Sequence, residues 1–248
     1  PLAAQGPLPV CLPPLGTAAG SGLGVLVAVL AGGEDVVYRA SRCADCGARL
    51  AWRDMVPVVS ALVLGGRCRT CGAAIPGHLL RLELAVLLAA PLAVALGEGL
   101  AQTAVFAVFF WCLTGLFYSD LLHFRLPDAL TGSLLVAGLA LAGLDPARGI
   151  LDGLLSAALA GAAFLTIRLG YRAWRGREGL GLGDVKLMTG IGAALGWAEV
   201  PLAALLAAAL ALLVVAARIL RGQGLPRGDQ RLPFGAYLVG GTVLVVIV

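Results

Sequence analysis

The chain has 248 residues, of which 60% are apolar and only 13% charged, with a mean hydropathy of +0.95. A soluble domain usually carries about 25% charged residues, so an ordinary soluble globule and a disordered chain are both excluded. The net charge of +4 is small and shows no nucleic-acid footprint.

Residues 10–31 form an uncharged, glycine-rich run, the first predicted span. No charged segment precedes it, so a cleavable signal peptide is not expected. Residues 32–78 differ, with charges, prolines and four of the six cysteines, and read as a small soluble domain. Apolar runs then recur at 79–97, 102–119, 129–144, 149–170, 185–198, 200–217 and 234–248. At about 20 residues per crossing, these runs predict an all-α polytopic membrane protein with about eight transmembrane helices. The domain boundaries follow: 1–31 for the first span, 32–78 for the cysteine domain and 79–248 for a seven-span membrane domain. The runs at 129–144 and 185–198 are short and suit half-buried helices lining a cavity.

If residues 32–78 are cytoplasmic, alternating sides place the loops 120–128, 171–184 and 218–233 in the cytoplasm too. Of the 18 Lys and Arg, only Arg148 then falls outside, as the positive-inside rule requires. The arginine-rich face also suits anionic lipid headgroups. Glycines four apart occur at Gly16/Gly20/Gly24, Gly149/Gly153 and Gly192/Gly196, a spacing that allows close helix contact.

Two CxxC pairs, Cys43-Ala44-Asp45-Cys46 and Cys68-Arg69-Thr70-Cys71, lie 21 residues apart. Each is followed by a glycine, Gly47 or Gly72, suited to the tight turn of a metal knuckle. Four thiolates close a tetrahedral shell around zinc, and a shell with no open position holds a fold and does no chemistry. A reducing compartment disfavours disulfides as the alternative. Cys11 and Cys112 lie in apolar runs and read as small core residues.

Three acids sit at the predicted cytoplasmic edge. Asp120 ends the third span, Asp128 follows Pro127 before the fourth, and Asp184 closes Gly181-Leu182-Gly183-Asp184 before the sixth. Asp128 and Asp184 both stand where a helix N-cap is expected. The two glycines would hold Asp184 in a narrow, partly wet crevice. A second carboxylate nearby would share one proton with it, so that one acid activates water and the other polarises a scissile carbonyl. Neither HExxH nor GxSxG is present, and neither His78 nor His123 suggests a nucleophile system. Geometry from sequence leaves Asp120 and Asp128 both open as the partner of Asp184.

These residues together resemble the type IV prepilin leader peptidases, membrane aspartic proteases that also N-methylate the trimmed pilin. The resemblance rests on Arg42-Cys43, on Val56-Pro57-Val58-Val59-Ser60 and on Gly65-Gly66-Arg67-Cys68. It continues through Ile75-Pro76, Glu83, and Asp120 followed after six residues by Pro127-Asp128. It extends to Glu178-Gly179-Leu180-Gly181-Leu182-Gly183-Asp184-Val185-Lys186 and Pro233-Phe234-Gly235. It implies Asp120 and Asp184 as the catalytic pair, with Asp128, Gly181, Gly183 and Lys186 in support. It further implies a zinc domain held by Cys43, Cys46, Cys68 and Cys71, S-adenosylmethionine as methyl donor, and a multi-pass location in the bacterial inner membrane. Its clients would be prepilin or pseudopilin precursors; oligomeric state is not implied.

The first span departs from the family pattern. Gly20-Ser21-Gly22-Leu23-Gly24-Val25 stands where the family has Gly-Ser-Phe-x-Asn-Val, and Val29-Leu30-Ala31 where Arg-x-Pro follows. Cleavage is therefore expected to be strong and methylation weak. The rival readings are a proton-coupled transporter, which would show inverted repeats and mid-membrane acids, and a catalytically inactive scaffold of a pilus or secretion machine.

Overall fold

A computed structural model describes residues 45–48, 63–74, 77–222 and 232–247. The first predicted span with its glycines and altered motif, Cys11, Arg42, Cys43, the Val56–Ser60 stretch and Ile75-Pro76 lie outside the described residues, as do the side chains of His78 and Glu83. The chain divides into two compact units, residues 1–83 and 84–248.

In the first unit, the segment around the second cysteine pair folds back on itself. Arg67 and Ala74 form an antiparallel bridge, the Cys68 N–H donates to the Ala73 carbonyl, and the Gly72 N–H donates to the Cys68 carbonyl. Gly47 and Gly72 have φ of +69° and +73°. That left-handed backbone is one glycine adopts without steric cost, and it is the knuckle turn expected after each pair.

Among the described residues there are seven helices and no named strand. They are α1 (Gly77–Leu96), α2 (Leu100–His123), α3 (Asp128–Leu144), α4 (Ile150–Arg175), α5 (Leu182–Leu195), α6 (Val200–Leu220) and α7 (Phe234–Ile247). Each lies within a few residues of its predicted apolar run, because predominantly apolar runs in lipid must satisfy their backbone internally. Helices α2, α4 and α6 are long and apolar enough to cross a membrane. The protein is a membrane protein of all-α class. The remaining helices of the second unit are shorter. Helix α5 has 14 residues and covers about 21 Å, against a hydrocarbon core of roughly 30 Å.

Helix α5 is the hub of the second unit, touching α3, α4, α6 and α7. Its small residues allow this. A methyl group added at Gly190 would lie 3.0 Å from the Leu134 side chain of α3, and one at Gly192 would lie 2.6 Å from Ala160 of α4. Lipid tails are as apolar as leucine, so close packing of this kind, more than water exclusion, holds helices together in a bilayer. Leu134, Leu187, Met188 and Ile191 are fully buried there. Leucines on α4 and α6, such as Leu151, Leu155, Leu205 and Leu212, point outward, as a lipid-facing surface requires.

The glycine pairs divide their work. Gly153 and Gly192 are contact points, whereas Gly149 and Gly196 have φ of +92° and +94° and turn the chain at helix ends. Close contact was the expectation for all four.

Arg148, the one cation placed outside by the charge argument, closes the far end of α5. Its Nε contacts Asp152 Oδ2 at 2.7 Å, and its two terminal nitrogens donate to the carbonyls of Ala194 and Ala193. A cation at a helix C-terminus satisfies carbonyls that have no partner within the helix. Nearby, the Trp197 N–H donates to Ser156 Oγ at 3.0 Å and ties the same end to α4.

Candidate active site

Asp120 lies one turn before the end of α2, not at its end as the apolar run suggested. Phe124 then adopts a left-handed conformation, φ 52°, the one non-glycine among the described residues to do so. Its N–H still donates to the Asp120 carbonyl, while Pro127 directs the chain outward before α3. Ser119 Oγ donates to the Arg125 carbonyl at 2.7 Å and holds the turn. The result is to aim Leu126 back into the bundle.

Leu126 fills the space between two glycines. A methyl group on Gly183 would come within 2.9 Å of Leu126 Cδ1, and one on Gly235 within 3.1 Å. The glycine beside Asp184 and the glycine that opens α7 therefore both give room to one side chain. The same Gly235 methyl would stand 3.0 Å from Asp120 Oδ2.

Each buried acid is held by a helix N-terminus. Asp120 Oδ2 accepts the Ala236 N–H of α7 at 2.9 Å, a buried bond across 116 residues. Asp184 Oδ2 accepts the Gly181 N–H at 3.1 Å. The first N–H groups of a helix have no partner within it and carry partial positive charge, so a carboxylate suits both places. Asp184 is the third residue of its helix, and Gly181 is the cap; Asp128 is the first residue of α3, after Pro127. Both were expected as caps themselves. The difference follows from Gly181 and Pro127, whose extended backbone (ψ 148° and 134°) takes the cap position first.

Asp120 and Asp184 line one cavity of about 580 Å³, which Leu126, Asp128, Gly183 and Lys186 also border. Asp120 is 6% exposed and Asp184 8%. Asp128 differs in kind: its side chain is 78% exposed and pairs with Lys186 Nζ at 2.6 Å. So exposed a pair contributes about 1 kcal/mol or less. The structure thus brings Asp120, Asp184, Asp128, Gly181, Gly183 and Lys186 together, with Asp128 at the rim and already partnered. Of the two short predicted runs, 185–198 borders this cavity through Lys186, whereas no residue of 129–144 does, and α3 reaches it only through Asp128.

Arg168 was overlooked in the sequence. Among the described residues it is the one buried cation, and it binds Leu180 and Glu178 of the loop before α5. A charge inside the predicted span 149–170 is costly in lipid and marks a functional or structural contact, which was the available signal. Ala236 carried no such signal, since its contribution is a backbone N–H.

In the first unit, Cys46, Cys68 and Cys71 place three sulfurs within 4.8 Å of one another. Thiolates around one zinc at 2.3 Å stand about 3.8 Å apart, so the group fits a metal-binding set.

The bacterial peptidase A24 N-terminal domain matches residues 15–96, and the type IV leader peptidase family matches residues 107–216. A protein of Aeromonas hydrophila named prepilin leader peptidase/N-methyltransferase is 33% identical over 202 residues, covering 80% of this chain and 68% of its own. The chain belongs to the type IV leader peptidase family. A relative of the same name from Burkholderia pseudomallei (strain 1026b) is 38% identical over 205 residues, 81% of this chain. Another, from Myxococcus xanthus (strain DK1622), is 36% identical over 201 residues, covering 74% of this chain and 55% of the relative. The chain spans 64% of the Burkholderia protein's length. No solved structure gives a significant match. In this family setting, the residues that resembled its two acid motifs are the pair that share the cavity.

Proposed function

We propose that this protein is a membrane aspartic endopeptidase that removes the leader peptide of type IV prepilin-like precursors, with Asp120 and Asp184 as its catalytic pair. The observation that carries the reading is the shared cavity. Two buried carboxylates border it, each held by a backbone N–H, and among the described residues no cation pairs directly with either.

In the reaction, one carboxylate is ionised and the other protonated. The ionised acid takes a proton from water as its oxygen adds to the scissile carbonyl carbon. The protonated acid gives its proton to the carbonyl oxygen. Collapse of the tetrahedral adduct breaks the C–N bond, and the leaving nitrogen takes up the proton first abstracted. The backbone N–H groups at Ala236 and Gly181 hold the carboxylates without supplying a competing charge. Asp128 and Lys186 stand at the mouth, where a leader enters, and Gly181 and Gly183 give the backbone room for it.

The finer architecture belongs to the same proposal. Eight spans cross the bacterial inner membrane, with residues 1–31 as the first, 32–78 as a cytoplasmic domain and 79–248 as the peptidase domain. Cys43, Cys46, Cys68 and Cys71 hold one structural zinc, which stabilises that domain and takes no part in hydrolysis. Anionic lipid meets the arginine-rich cytoplasmic loops. S-adenosylmethionine serves as methyl donor for the new N-terminus. A proton-coupled carrier is not favoured, because the acids stand at helix ends and not midway along them.

The test is to incubate purified protein with a prepilin-like precursor, with and without S-adenosylmethionine, and read product masses. Loss of the leader mass is expected in both. Addition of one methyl mass is expected to be slower than cleavage, given Gly24 and Val29 in the first span. An intact precursor in both samples would overturn the reading.

A further inference from the structure

Arg168 lies on α4, a buried side chain whose neighbours along the helix include Phe164, Leu165, Ile167 and Leu169. Its guanidinium reaches out of the helix to the loop 176–181. One terminal nitrogen donates to the Leu180 carbonyl, and the other contacts Glu178 Oε1 at 2.6 Å. Arg172, one turn on, faces the same Glu178 oxygen from 3.9 Å. Tyr171 packs against Gly179 so closely that a methyl group there would overlap its ring. Residues 178–180 are thereby fastened to one face of α4.

The Leu180 carbonyl and the Gly181 N–H belong to the same peptide group. That group is planar, and its C=O and N–H point in opposite directions. Arg168 grips one side of the plane, and Asp184 Oδ2 accepts from the other at 3.1 Å. Fixing the carbonyl therefore fixes the direction of the N–H. A charged donor on the carbonyl also polarises the peptide and strengthens the N–H as a donor. Glu178 accepts from Arg168 so that the cation is not left unpaired in the bundle.

We propose that Arg168 is a positioning residue for hydrolysis, acting through the Leu180–Gly181 peptide to hold the Asp184 carboxylate in its working orientation. The inference rests on the reading of Asp184 as a catalytic acid. Arg168 itself does not border the cavity. Arg148 gives the contrast within the same bundle, since it binds carbonyls and an acid at the opposite end of α5, away from the cavity.

The experiment compares Arg168→Met, Arg168→Lys, Glu178→Gln and Asp184→Asn in the purified full chain. It measures kcat and KM for a prepilin-like precursor, together with the thermal midpoint of each variant. Displacing a catalytic group by about an ångström costs on the order of 100-fold, so Arg168→Met should lower kcat roughly 10- to 100-fold with little change in KM. Lysine keeps the charge and one donor but cannot span both acceptors, so Arg168→Lys should recover part of the loss. Glu178→Gln retains an acceptor and the Leu180 contact, and should cost about threefold or less. Should Arg168→Met fail to fold, the order of Arg168→Lys below Glu178→Gln in kcat carries the test. Wild-type kcat in Arg168→Met, with Asp184→Asn inactive, would overturn the positioning role alone. So would a loss seen only in KM or matched by the thermal midpoint with no gain from lysine. Cleavage by Asp184→Asn would overturn the catalytic reading and this inference together.

Discussion

The two ends of α5 are built from the same materials and arranged for opposite purposes. At the far end, Arg148 meets Asp152 and two terminal carbonyls, so the cation is directly paired. At the near end, Asp184 meets one backbone N–H, and Asp120 across the cavity meets another. The buried cation of that region among the described residues, Arg168, is turned toward the loop and bonds to Leu180 and Glu178 instead of either acid. A neutralised charge contributes to stability and is chemically quiet. A buried carboxylate with a neutral donor and a second carboxylate nearby stays free to exchange a proton. The comparison teaches that directly paired charge and charge left without a counter-ion are separated along one short helix.

The largest effect should come from the acids. Asp120→Asn and Asp184→Asn should each lower cleavage by about 1000-fold or more, since each member of a catalytic unit is indispensable. Asp128→Asn removes only the exposed pair with Lys186 and should cost about fivefold or less. Initial rates on a prepilin-like precursor decide this, and an inactive Asp128→Asn beside an active Asp120→Asn would exchange their roles.

Next is the approach of α7 to Asp120. Gly235→Ala brings a methyl group to 3.0 Å from Asp120 Oδ2 and 3.1 Å from Leu126. Displacing the carboxylate should lower kcat about tenfold. An unaltered kcat would show that the Ala236 contact is not needed for the working geometry.

At the quiet end, Arg148→Met should act on stability and spare the chemistry. It leaves Asp152 and the Ala193 and Ala194 carbonyls without their partner, at a cost of about 1–3 kcal/mol. A lowered thermal midpoint with unchanged kcat per folded molecule is the expected pair of results. A lowered kcat at unchanged midpoint would break the separation between the two ends.

The smallest effect on cleavage concerns the cysteine group. Purified protein should carry about one zinc per chain, and Cys68→Ser should reduce that content. Elemental analysis and thiol titration check it. Disulfide-paired thiols without zinc would replace the metal with covalent links.

Much of the helical plan was legible from residues alone. A predominantly apolar run must become a helix in lipid, so the segment predicted at 185–198 appears as α5, and that at 200–217 as α6. Glycine after each CxxC pair foretold the left-handed turns at Gly47 and Gly72, because that conformation is set by neighbouring backbone alone. Motif resemblance pointed to Asp120 and Asp184, yet spacing left Asp120 and Asp128 equal as partners. Packing places the two in different surroundings. Eight residues apart in sequence, one is buried against the start of α7 and the other is exposed beside Lys186. The bond from Ala236 to Asp120 spans 116 residues and uses a backbone group that every residue except proline carries. Local pattern encodes helix position through a 3.6-residue period, but it contains no information on which helix ends meet. That depends on the glycine contacts of α5, on the wedge of Leu126 and on where Arg148 and Arg168 find their acceptors. All of these exist only once the helices are packed.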